Sequence, residues 1–104
     1  MSTILNLSIF PTDKGASVSQ YVARVIRIIE DSGLPFQTGP MSTSIEGDWD
    51  DVITTLSACY KELEKFSDRI YIQAAFDCRK GPAGRMETKI SSLEQHLQKN
   101  RAVP

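Results

Sequence analysis

The residues able to do chemistry in this chain are few, and they concentrate between positions 39 and 51, in GPMSTSIEGDWDD, where the carboxylates Glu46, Asp48, Asp50 and Asp51 follow the small hydroxyls Ser42, Thr43 and Ser44. Carboxylates at that density are the usual oxygen ligands of a hard divalent cation. Three of them have a simpler use. Asp48 stands where an N-cap opens a helix, and Asp50 and Asp51 fall in its first turn, where negative charge complements the unpaired amides. Glu46 belongs to the end of the preceding strand and remains the site candidate.

Two other stretches carry charge in a suggestive order. DCRKG, residues 77 to 81, places Asp77 and Arg79 two apart, hence on one side of a strand, where a salt bridge and a ligand role are equally expected. DKGAS, residues 13 to 17, brings a lysine and a glycine to a helix start, a modest anion-site arrangement without the spacing of a P-loop and equally well explained as a turn. The one histidine, His96, lies in a polar helical register with no nucleophile or metal partner beside it, so a surface role is expected. Cys59 and Cys78 fit no metal spacing and fall on apolar faces, which predicts reduced, buried thiols and a cytoplasmic setting.

The elements that must position these groups follow from periodicity. With 104 residues, 40% hydrophobic and 24% charged, the chain is expected to form one domain over 1–104. A net charge of −1 argues against nucleic acid as a partner. MSTILNLSIF lacks a cationic leader and its apolar run stops at Pro11, which argues against a signal peptide or a membrane span. Leu5, Leu7 and Ile9 alternate with Asn6, Ser8 and Phe10, the pattern of a half-buried strand. SVSQ predicts a capping box between Ser17 and Gln20, opening a helix over 17–32 that Gly33 closes. Gly39 and Pro40 then break residues 35–46 into a hairpin. Asp48 is expected to cap, through its carboxylate, a second helix ending near Ser67. RIYIQAAFDCR predicts a fourth strand, with Ile70, Ile72, Ala74, Phe76 and Cys78 facing the core and Tyr71, Gln73, Ala75, Asp77 and Arg79 opposite. After KGPAG, the spacing of Met86, Ile90, Leu93 and Leu97 predicts a third helix and a short tail.

The order β-α-β-β-α-β plus one helix is that of a ferredoxin-like α+β sandwich, with a four-stranded antiparallel sheet, strands 1 and 3 central and both main helices on one face. The other sheet face is left uncovered. On it Phe10, Tyr71 and Ala75 mix with Asn6, Ser8, Gln73, Asp77 and Arg79, a composition suited to a partner sheet or a ligand, so self-association through the sheet is expected.

In this order the segments GASVSQYVARVIRIIEDSGL, GPMSTSIEGDWDDV, RIYIQAAFDCRKG and KISSLEQHL resemble the small thiamine-binding protein family over nearly the whole chain. The resemblance implies a ferredoxin-like fold that pairs through its sheets as a dimer of dimers, a homotetramer, with a pocket for thiamine or its hydroxymethylpyrimidine part and no established catalysis. Ser42, Thr43 and Glu46 match the family's central motif, Asp77 and Arg79 its strand 4 signature, and Ser17 and Ser19 its helix start. Tandem-domain relatives hold two such units in one chain, whereas this sequence holds one and would depend on oligomerisation for a shared pocket.

The chemistry is compatible. Hydroxyls and a carboxylate can fix the edge of an aminopyrimidine, Phe10 or Tyr71 can cover its face, and the thiazolium charge can be met by Glu46, Asp77 or an aromatic ring. No metal or other cofactor is required. The expectation is a cytoplasmic, non-enzymatic binding protein for a small molecule. The alternatives are a small oligomeric isomerase or lyase with Asp77 or Glu46 as general base, and a ligand-sensing regulatory module.

Overall fold

In the first strand, every second side chain from Thr3 to Ile9 is buried, the apolar Leu5, Leu7 and Ile9 among them, with Leu5 opposite Ile45 and Phe76 in the neighbouring strands. The computed structural model describes residues 1–102; positions 103–104, the end of the expected domain and of its tail, lie outside the described residues. The elements are β1 (Ser2–Pro11), α1 (Ser19–Asp31), β2 (Phe36–Thr38), β3 (Thr43–Asp48), α2 (Trp49–Glu64), β4 (Ile70–Arg79) and α3 (Arg85–Ala102). The sheet order is β2-β3-β1-β4, all neighbours antiparallel, with β3 and β1 central. This is the expected ferredoxin-like α+β sandwich with an added C-terminal helix.

One core joins the two main helices to one face of the sheet. Leu5, Leu7, Ile9 and Ile45 from the strands pack against Val25 and Ile29 of α1 and Val52, Cys59 and Leu63 of α2. Removing such a side chain to alanine costs about 2–5 kcal/mol, so this cluster supplies much of the fold's stability. Gly47 allows the close packing at the edge of that layer, because a β-carbon there would sit 3.1 Å from Leu34 Cδ2 and 3.5 Å from Val52 Cγ2.

Several local expectations are revised. The Ser17–Gln20 capping box does not form, since α1 starts two residues later with Val18 at its N-cap and the Val18 carbonyl accepts the Tyr21 and Val22 amides. Gly33, at φ 74°, does end the helix in the left-handed region. Asp48 occupies the N-cap of α2 but makes no side-chain capping bond, and the helix ends at Glu64 rather than near Ser67. Cys78 is exposed, not buried. It lies at the end of an edge strand that α2 covers only in part: Trp49 packs on Phe76 with ring centroids 5.1 Å apart, yet Ile72 and Phe76, on the same face, stay 41% and 38% exposed.

The opposite sheet face is open except at one end. There the first turn of α3 is seated over Ser2 and Glu46, and the rest of that helix, with no buried residue, projects from the molecule.

Candidate functional site

Strand register places Asn6, Ser8 and Phe10 of β1 beside Ala75, Gln73 and Tyr71 of β4 on the open face, and Ile4 between Glu46 and Asp77 on the same face. The seven residues singled out in the sequence divide into two groups at opposite ends of β1, with Thr43, opposite Leu7, on the buried face.

The first group surrounds a break in the sheet. β3 stops pairing at Thr43, opposite Leu7, whereas β1 continues to Pro11, so the main chain of Ser8–Phe10 has no strand on its β3 side. The gap is bounded by the hairpin loop, held by the Gly39 amide donating to the Ser42 carbonyl at 2.8 Å, and by the start of α1. Between them lies a cavity of about 280 Å³, walled by Ile9, Val18 and Val22 and edged by Thr38, Ser42 and Thr43. Phe10 lines it too, and its ring packs on Tyr71 with centroids 5.2 Å apart. A mostly apolar recess with a few hydroxyls and an unpaired main-chain edge is suited to a flat heteroaromatic molecule.

The second group is held together by α3. Glu46 is 2% exposed, and its carboxylate accepts the Arg85 amide at 2.8 Å, the Met86 amide at 3.2 Å and the Ser2 hydroxyl at 3.3 Å. Burial opposes its ionisation, but the Arg85 and Met86 amides and the Ser2 hydroxyl outweigh that and hold the carboxyl below its ordinary value. The Arg85 guanidinium spans the Ser2 carbonyl and the Asp77 carbonyl, each at 2.8 Å, and reaches Asp77 Oδ2 at 3.1 Å. Lys89 Nζ donates to the same Asp77 oxygen at 2.6 Å, and this bond, with the two cations, lowers the Asp77 carboxyl from its usual value. The salt bridge weighed at Asp77 and Arg79 therefore forms within the chain at Asp77, with Arg85 and Lys89, and none forms at Arg79 among the described residues.

Sequence reasoning missed Arg85, Lys89 and Ser2. Each is unremarkable by type and spacing, and they meet only because the KGPAG turn returns the chain to the start of β1. The DKGAS segment is a connection: Asp13 accepts the Ser67 hydroxyl at 2.6 Å and the Asp68 amide at 2.9 Å, which depress its carboxyl and pin the loop after β1 to the one before β4. Cys59 is fully buried and its thiol is pushed up to about 11 by burial, so it is not a ready nucleophile. His96 is exposed on α3. No three His, Cys, Asp or Glu side chains form a metal-holding group among the described residues, and no described helix is long and apolar enough to cross a membrane.

The family model described as thiamine-binding protein matches residues 5–94, spanning both groups. The chain belongs to the thiamine-binding protein family. Relatives in the family include a UPF0045 protein of Synechocystis sp., 32% identical over 99 residues that cover 94% of this chain and 82% of the relative. Another, from Mycobacterium bovis, is 33% identical over 98 residues, 93% of this chain and 96% of its own. Among solved structures, the MJ1052 protein of Methanocaldococcus jannaschii superposes with a TM-score of 0.82 at 29% identity, covering 89% of this chain and 96% of that one. A Thermotoga maritima protein, provisionally assigned to thiamine biosynthesis or salvage, shares the fold with a TM-score of 0.78 at 22% identity, over 89% of this chain and 99% of its own.

Proposed function

We propose that this protein is a cytoplasmic, non-enzymatic binding protein for thiamine or a related hydroxymethylpyrimidine, working as a homo-oligomer paired through its sheet faces. Membership of the thiamine-binding family and the provisional thiamine-salvage assignment of the Thermotoga neighbour support the ligand class. The observation that carries the reading is the break in the sheet beside Ser8–Phe10.

An aminopyrimidine presents ring-nitrogen acceptors and an exocyclic amine on one edge, which main-chain groups of β1 and the Ser42 and Thr43 hydroxyls can match. The apolar walls exclude water from its faces, and Phe10, which also lines the recess, packs on Tyr71 on the open face, an aromatic pair able to attract a thiazolium cation. Glu46 and Asp77 are reassigned in this reading. Both Glu46 oxygens and Asp77 Oδ2 are taken by α3, so these carboxylates support the fold rather than the ligand.

The open face supports pairing with a second copy. Tyr71 is 46% exposed, and it borders a polar strip of Asn6, Ser8 and Gln73 that no element of its own chain covers.

Isothermal titration with thiamine and with hydroxymethylpyrimidine tests the proposal. Saturable binding is expected, and Ser42→Ala and Thr43→Val should each weaken it by about five- to a hundredfold, the cost of leaving a buried ligand polar group unpaired, about 1–3 kcal/mol. Absence of heat with either ligand at millimolar concentration would remove the proposal, and turnover of either would replace it with an enzyme.

A further inference from the structure

The end of β4 and the basic side of α3 border an open groove of about 460 Å³, at the opposite end of β1 from the break in the sheet. Its wall is made by Arg79, Arg85, Thr88, Lys89, Ser92 and His96 together with the apolar Leu93. Arg85, Lys89, Ser92 and His96 recur at intervals of four, three and four, so they share one side of the helix. Glu87 and Glu94 fall on the other side of it.

Charge in this groove is unbalanced in a particular way. Asp77 is the one carboxylate bonded to its cations, and Arg85 and Lys89 both claim it. Glu46 is spent on helix amides. Arg79, projecting from the same strand face as Asp77, is left without an ion pair among the described residues. A guanidinium without an ion pair, a partly exposed ammonium, the Ser92 hydroxyl and an imidazole border one concavity, while the Thr88 hydroxyl is held by the Gly84 carbonyl. Such a set repels a thiazolium and attracts an oxyanion with several acceptor oxygens.

We infer that this groove is an anion site for a phosphate group, with Arg79 as its bidentate anchor, Lys89 as a second cation and Ser92 and His96 as further polar contacts. The site is independent of the proposed pyrimidine recess. Arg85, fixed on Ser2 and Asp77 and with its side chain 11% exposed, positions the helix rather than the anion. Lys89 keeps its bond to Asp77 and contributes from the rim, its side chain being 57% exposed.

The test is titration of the full chain with inorganic pyrophosphate at low ionic strength, followed by calorimetry, with acetate as a monovalent comparison. Saturable binding of pyrophosphate, tighter than acetate, is expected, with losses on the order of tenfold for Arg79→Ala and several-fold for His96→Gln. Lys61→Gln, which removes the same unit of charge on α2, should leave the affinity unchanged. Absence of saturable binding, equal affinity in Arg79→Ala and the parent, or an equal loss in Lys61→Gln would overturn the assignment. Thiamine titrated into the Arg79→Ala protein should bind as it does to the parent, so failure of one site is distinguishable from failure of the other.

Discussion

Glu46 serves α3 as a helix cap from 39 positions away in the chain. Its place on the open face, in register with Ile4, follows from strand alternation and was legible in the sequence. Its role was not, because the bonds to Arg85 and Met86 depend on where the turn after β4 sets down the helix. The same holds for Asp77, for which a salt bridge was weighed against a ligand role and which forms one, with Arg85 and Lys89 of α3. Since the amide bonds depress the folded-state carboxyl, ionised Glu46 stabilises the docking of α3 at neutral pH. That contribution is present above the ordinary glutamate value and is lost as pH falls through the depressed folded value. The Arg85 and Met86 amide resonances should therefore titrate together, with a midpoint below the ordinary 4.5. A midpoint at or above that value, or no titration of these amides, would separate Glu46 from the cap.

At the scale of elements, β4 is where pattern and surroundings part. Its alternation correctly assigns faces, yet each is covered only in part, by Trp49 and the core at Phe76 and Ile70 and by α3 at Asp77, because it is an edge strand and α1 and α2 lie mainly over the centre of the sheet. Alternation reports which side chains share a side but not whether anything packs there, and so the sequence could assign Cys78 to the core face but not bury it. Ten residues of exposed edge strand with apolar side chains on both sides are a liability unless paired or covered. A second copy would cover the open face. Ala75, opposite Asn6 in the middle of that face and away from both the recess and the groove, is the position to probe. In sedimentation the parent should run as an oligomer of the 11.6 kDa chain, and Ala75→Arg should shift it toward the single chain while keeping its circular dichroism. A parent that sediments as a single chain would contradict pairing through the sheet.

Across the whole molecule, the two ends of β1 have opposed chemistry. One end is an apolar recess with hydroxyls and an aromatic pair, suited to a flat cation-bearing heterocycle. The other is a polar knot of Glu46, Asp77, Arg85 and Lys89, flanked by basic groups. The fold, its strand order and the candidate residue types could be read from periodicity and from the family resemblance. The division of those residues into two places could not, since it depends on β3 ending four residues short of β1 and on α3 closing over the opposite end. The central claim is that the pyrimidine ligand occupies the break in the sheet. Chemical-shift mapping with hydroxymethylpyrimidine on isotope-labelled protein tests it most directly. The largest shifts should fall on Ser8–Phe10, on residues 38–43 and at the start of α1, with Glu46, Asp77 and Arg79 little affected; shifts centred on those three instead would place the ligand beneath α3 and contradict the account.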